Sequence, residues 1–173
     1  MVVFESFRMC SGFWAAGLCT YSSADAPRES TRALWQQFRP LLPQLENRVG
    51  TNLLSIQVFP DDMDFARVLP SVRFTKWAAA EVAAPPPEPL GLQCLWVPPG
   101  CYAAFRYQGL PQGAMEAMRF IFEEFLPLTE YLPDHRPFVD RMPFDYRPND
   151  PLATETILVP VRKIESNSRQ SST

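Results

Sequence analysis

The chain has 173 residues, 46% hydrophobic and 20% charged, the composition of a folded domain with a core and not of a disordered segment. A net charge of −3 excludes the basic footprint of a nucleic-acid-binding domain. No apolar run approaches the ~20 residues of a membrane span, and Met1-Val2-Val3-Phe4-Glu5 has no signal-peptide character, so a cytoplasmic protein is expected.

In chain order, Phe4 to Tyr21 reads as one long or bulged strand, its regularity broken at Gly12 and Gly17. Asp25-Ala26-Pro27 marks a helix entry, proline being tolerated in a first turn. Ala33, Leu34, Phe38, Leu41 and Leu45 recur at helical spacing, while Pro40 and Pro43 end the regular helix near Arg39. Leu53 to Phe59 is rich in β-formers. Lys76 to Val82 is alanine-rich and reads as helix or strand by propensity. Ala84-Pro85-Pro86-Pro87-Glu88-Pro89 is a stiff linker.

Beyond it, Leu92–Val97 and Cys101–Tyr107 read as strands around the bend Pro98-Pro99-Gly100. Gly113–Phe125 is an amphipathic helix, with Met115, Met118, Phe122 and Phe125 on one face. Phe138–Tyr146 and Glu155–Val161 are strands separated by the turn Arg147-Pro148-Asn149-Asp150-Pro151. Residues 165–173 form a polar, flexible tail.

The two stretches repeat one another. Gly12-Phe13-Trp14-Ala15-Ala16 returns as Gly100-Cys101-Tyr102-Ala103-Ala104, and Leu34-Trp35-Gln36-Gln37-Phe38-Arg39-Pro40 as Ile121-Phe122-Glu123-Glu124-Phe125-Leu126-Pro127. A repeat at constant offset dictates architecture. Each half reads strand, helix, strand, strand, which also favours a strand for Lys76–Val82. The expected fold is α+β: a pseudo-twofold tandem of two βαββ units, about residues 1–84 and 90–164 of one domain spanning 1–164. It would have antiparallel sheet, one main helix per half and a cleft between the halves.

Cys10, Cys19, Cys94 and Cys101 have no CxxC spacing, so no metal site or redox motif is indicated. The single histidine, His135, lies in a turn-like segment and no catalytic triad is available. No cofactor is expected. Acids within apolar stretches are the residues of interest, because burial of an unpaired charge is costly. Glu81, Asp140 and Glu155 stand out. Strand alternation groups Trp77 and Glu81 on one face, and Phe138, Asp140 and Met142 on another. An aromatic wall beside a carboxylate suits a lipophilic cation. The alternative for each of these acids is a solvent-facing position or an ion pair with a neighbour such as Arg141 or Lys76.

Several runs resemble the gyrase-inhibitor-like effector-binding domains. In the first half these are Leu34-Trp35-Gln36-Gln37-Phe38, Asn47-Arg48, Ser55-Ile56-Gln57-Val58-Phe59 and Lys76-Trp77-Ala78-Ala79-Ala80-Glu81-Val82. In the second half they are Tyr102-Ala103-Ala104-Phe105-Arg106-Tyr107-Gln108-Gly109, Ile121 to Pro127, Arg136-Pro137, Tyr146 to Pro151 and Glu155 to Val161. The resemblance implies the ligand-sensing domain of AraC-type and MerR-type multidrug regulators, here in stand-alone form: two βαββ units with lipophilic, often cationic, molecules bound between them against aromatics and a glutamate.

The chain departs from that pattern after Arg136-Pro137. The family's aromatic, glutamate and tyrosine correspond here to Val139, Asp140 and Met142. The acid is one methylene shorter and a hydroxyl is lost. The expected ligand-binding set is Asp140, Glu81, Trp77, Phe138, Met142, Tyr102 and Trp14.

The leading expectation is a binding module that captures a hydrophobic, cationic small molecule in a sensing or toxin-sequestering role, without direct contact to nucleic acid or membrane. A homodimer or a regulatory protein partner is left open. The alternative is a hydrolase of a small strained electrophile with a cleft carboxylate as general base. A third reading is a protein-interaction module.

Overall fold

A computed structural model describes residues 1–67, 70–86 and 91–165. The stretch expected as one long strand is two: β1 (Val2–Cys10) and β2 (Phe13–Ser23). The break falls at Ser11-Gly12, and a side chain at Gly12 would run into Trp96, 2.5 Å from where its Cβ would stand. The two strands do not pair with each other. β1 runs antiparallel to β6 (Gly100–Gln108), whereas β2 lies between β4 (Arg73–Val82) and β5 (Gln93–Val97).

Helix α1 (Arg28–Phe38) buries Leu34 and Phe38, then tightens into a 3-10 turn over Arg39–Gln44, where Pro40 and Pro43 supply no N–H to an α-helical ladder. β3 (Arg48–Val58) and β4 follow. Lys76–Val82 is therefore strand, as the repeat implies. Its alanines make it a central strand pressed from both sides: Ala78 and Ala80 lie under α1, and Ala79 belongs to the cluster on the opposite face. Tertiary packing overrides the weak strand propensity of alanine here.

In the second half, α2 (Ala114–Arg119) is shorter than the 13-residue span read from the sequence. It continues as a π-helical turn over Phe120–Phe125 and a 3-10 turn over Leu126–Leu128. β7 (Tyr131–Pro133), unexpected from sequence, pairs with the end of β9 (Thr154–Lys163). β8 (Phe138–Met142) stops four residues earlier than expected, at Pro143. Of the linker Ala84–Pro89, residues 87–89 lie outside the described residues, as do residues 166–173 of the tail.

All pairings are antiparallel, and the main sheet runs β1-β6-β9-β8-β3-β4-β2-β5. That order reads as its own mirror: β8 and β3 meet at the centre, flanked by β9 and β4, then β6 and β2, then β1 and β5. The pseudo-twofold axis passes between β8 and β3. Each half's leading strand completes the other's sheet, since β1 precedes β2 but pairs with β6, and β5 precedes β6 but pairs with β2.

Both helices occupy one face of the sheet. α1 packs with Ala16, Leu53, Ala78, Ala80 and Met142, and α2 with Ala103, Phe105, Phe138, Ile157 and Val159. Phe138 and Met142 are on the same side of β8, so the two helices flank the axis on a common face. The opposite face carries Ala15, Leu54, Ile56, Trp77, Tyr102, Val139 and Leu158, and the buried members of that cluster are 0–9% exposed. No helix among the described residues covers that face, and its apolar side chains pack against one another in one cluster. No helix among the described residues is long and apolar enough to cross a membrane.

Candidate functional site

The seam between the helices is built from β3 and β8 and decorated by their neighbours. Register places Ser55 opposite Asp140, Gln57 opposite Phe138 and Leu53 opposite Met142. Directly paired residues share a face, so Asp140, Phe138 and Met142 look out between α1 and α2. Gln57 is also paired with Lys76 of β4, and Tyr107 of β6 with Glu155 of β9. Lys76 thus enters the seam from one side and Glu155 from the other.

Asp140 Oδ2 accepts a hydrogen bond from Gln57 Nε2 at 2.9 Å. Burial nevertheless raises the Asp140 carboxyl above the usual carboxylate range, against the pull of Lys76 and of the Gln57 donor. Glu155 is pushed up to about 8, first by burial and then by the charge of Asp140, with Lys76 opposing. Burial in turn lowers Lys76, with Asp140 and Glu155 both opposing. The Tyr146 phenol, on the segment after β8, is raised by burial and by Glu155 and Asp140.

These mutual effects place two carboxylates, one ammonium and a phenol within electrostatic reach in a poorly solvated seam. Among the described residues, no ion pair within 4.0 Å joins Lys76 to either acid. With Lys76 charged, the two acids carry one surplus negative charge when both ionise.

One wall of the seam is aromatic. Phe138 lies 5.0 Å from Phe59, 5.3 Å from Phe65 and 6.0 Å from Phe122, ring centre to ring centre. Phe65, on the segment after β3, stacks on both Phe122 and Phe138 and meets His135 at 5.2 Å. His135 is therefore an exposed loop residue leaning on this cluster. Met142 and Leu53 supply the softer wall below Asp140, inside the α1 cluster.

The seven residues expected at a site do not converge. Asp140, Phe138 and Met142 share the helix-side seam. Trp77 and Tyr102 are buried in the cluster on the opposite face. Glu81 stands on that opposite face too and meets Arg141 at 3.8 Å, one of the two bases named as possible partners of the strand acids. Tyr102 donates a hydrogen bond to the Pro137 carbonyl at 3.4 Å and carries the Arg136 guanidinium over its ring at 4.7 Å. Trp14 packs on Trp96 at 5.2 Å, near the β2–β5 edge.

Sequence reasoning singled out Glu155 as a buried-acid candidate but did not set it beside Asp140. It named Lys76 only as a possible ion-pair partner of the strand acids, and missed Gln57 and Tyr146. The signal that would have found them is register, since Asp140–Ser55 and Gln57–Lys76 are cross-strand neighbours that no spacing along the chain reveals. All four cysteines are free, and no group of three metal-ligating side chains occurs among the described residues.

No protein-family model and no curated protein matches the chain. Solved structures do. A structure of SAV2435 bound to tetraphenylphosphonium superposes with a TM-score of 0.65 at 13% identity, over 92% of this chain and 94% of that one. The C-terminal domain of EcmrR gives 0.64 at 9% identity, over 93% and 99%. An integron cassette protein from the mobile metagenome of Vibrio cholerae gives 0.61 at 16%, over 93% and 99%. The chain shares its fold with these three structures.

Proposed function

We propose that this protein is a small-molecule-binding module that takes a hydrophobic cation into the helix-side seam, in a sensing or sequestering role. The observation that carries this reading is the placement of Asp140 and Glu155 in one seam beside the aromatic cluster of Phe138, Phe59 and Phe65. Burial makes a second unneutralised carboxylate unfavourable there, and a lipophilic cation would supply the missing charge while its apolar body contacts the rings. The solved complex of the structural neighbour SAV2435 with tetraphenylphosphonium supports that ligand class. Asp140, Phe138 and Met142 of the expected set belong to the proposed site, joined by Glu155, Lys76, Gln57 and Tyr146.

The test is calorimetric titration with tetraphenylphosphonium and with neutral triphenylphosphine oxide. Asp140→Asn and Glu155→Gln should each weaken the cation about tenfold or more, which is ~1.4 kcal/mol, and leave the neutral compound unaffected. Cation affinity should also rise as pH passes upward through about 8, because Glu155 must lose its proton to act as counter-ion. Equal affinity for both compounds in all three proteins would refute the reading.

One observation favours the hydrolase alternative: a carboxyl titrating near 8 in an apolar setting is poised as a general base. The mass of ligand recovered after long incubation separates the two. Unchanged ligand supports capture, and a mass gain of one water supports turnover.

A further inference from the structure

The opposite face of the sheet carries an open groove of about 490 Å³, within the size range of small-molecule sites. Its polar lining includes Arg8, Asn52, Arg106, Arg141, Thr154, Glu155 and Thr156, and Met9, Cys10, Pro143 and Leu158 add apolar surface. Register explains how these residues meet. Arg106 on β6 and Arg141 on β8 are both paired with Thr156 of β9, so the three form one cross-strand row. With strands about 4.8 Å apart, the two arginines emerge about 10 Å from one another with the threonine hydroxyl between them.

The guanidinium groups are unequally committed. Arg8 donates to Glu5 at 2.6 Å and to Ser6 at 2.9 Å, so its charge is largely spoken for. Arg106 is exposed and makes no side-chain hydrogen bond or ion pair among the described residues. Arg141 reaches Glu81 only at 3.8 Å, beyond hydrogen-bond length, and leans over Phe13 at 5.6 Å. Its Nε is buried without a partner, which is costly unless an acceptor arrives. Glu155 also borders the groove. Strand alternation sends its carboxylate to the helix side, opposite in direction to Thr154 and Thr156.

We infer that this groove is a second ligand site, for a small organic oxyanion (a carboxylate or phosphate monoester) with an apolar body, gripped by Arg106 and Arg141 across Thr156. Arginine forks match such oxyanions bidentately, and the threonine hydroxyl and Asn52 amide supply neutral donors. The apolar body rests on Leu158 and Pro143. The cation seam lies on the other side of the sheet, with Glu155 at the border of both.

Calorimetric titration with 2-naphthoate, 2-naphthyl phosphate and the neutral 2-naphthamide tests this. At least one anion should bind saturably and the amide should not. Arg106→Gln, an exposed change, should weaken the anion about tenfold or more, as should Arg141→Gln. The relative affinity of the two anions identifies which oxyanion the groove prefers. The inference is overturned if the amide binds as well as the anions, if both arginine variants bind like the native protein, or if no anion binds at millimolar concentration. Tighter binding of a 20-base-pair DNA duplex, lost in the same variants, would equally overturn it in favour of a nucleic-acid surface.

Discussion

Asp140 and Glu155 illustrate how much a single residue's chemistry depends on which strand stands beside it. Glu155 is the second residue of β9, just ahead of an apolar run, and in isolation a strand acid of that kind faces water or an arginine. Burial, and then the charge of Asp140, push its carboxyl up to about 8. The sign of the consequence follows from linkage. The folded state binds a proton that the unfolded chain releases near the ordinary glutamate pKa of about 4.3, so this residue's contribution to stability is greatest below that pH. It falls as pH rises towards 8 and is constant above. Urea midpoints across pH 5 to 8.5 should therefore decline in the native protein relative to Glu155→Gln, whose amide does not titrate. Parallel curves for the two proteins would show that Glu155 is solvated and ordinary. Glu81 makes the contrast. The same residue type, equally embedded in an apolar run, pairs with Arg141 on the other face. Nothing in the sequence ranks one acid above the other, because alternation gives relative faces within a strand and not which face of the sheet each strand's set joins.

At the scale of elements, β2 and β4 show why small residues recur at the start of each half. Gly17 lies opposite Ala79 in the β2–β4 ladder, and a Cβ there would stand 2.0 Å from the carbonyl oxygen of Ala78. Backbone cannot yield as the end of a flexible side chain can. Gly17→Ala should accordingly cost about 3 kcal/mol, the upper end of ordinary overpacking, measured as a lowered urea midpoint at unchanged slope. A loss under 0.5 kcal/mol would mean that the two strands slide apart without penalty. The alanine-rich β4 was legible as strand only through the repeat, since propensity left it open. The end of β8 at Pro143 and the shortening of α2 into π and 3-10 turns were not legible. Both depend on local backbone hydrogen bonding that periodicity does not record.

For the whole molecule, the exchange of leading strands makes the halves interdependent. Residues 1–84 alone would leave β2 without β5, β1 without β6 and β3 without β8. That fragment should lack cooperative unfolding, as should residues 90–173, whereas the two mixed should recover a sigmoidal denaturation curve. Independent cooperative unfolding of either fragment would show that the exchange is not essential to stability.

The amino-acid sequence by itself determined the class of fold, the two βαββ units, the approximate bounds of most elements and the acids worth questioning. Each of these follows from periodicity, from proline and glycine placement, or from a repeat carried along one chain. Only the tertiary structure decided that β1 and β2 are separate strands serving opposite halves, and that Asp140 and Glu155 share a seam which Glu81 and Trp77 do not. It also decided that Arg106, Thr156 and Arg141 form a row. Those facts are cross-strand register and the side of the sheet to which each strand turns. Register is set by packing between residues far apart in sequence, so one chain read alone contains no measure of it.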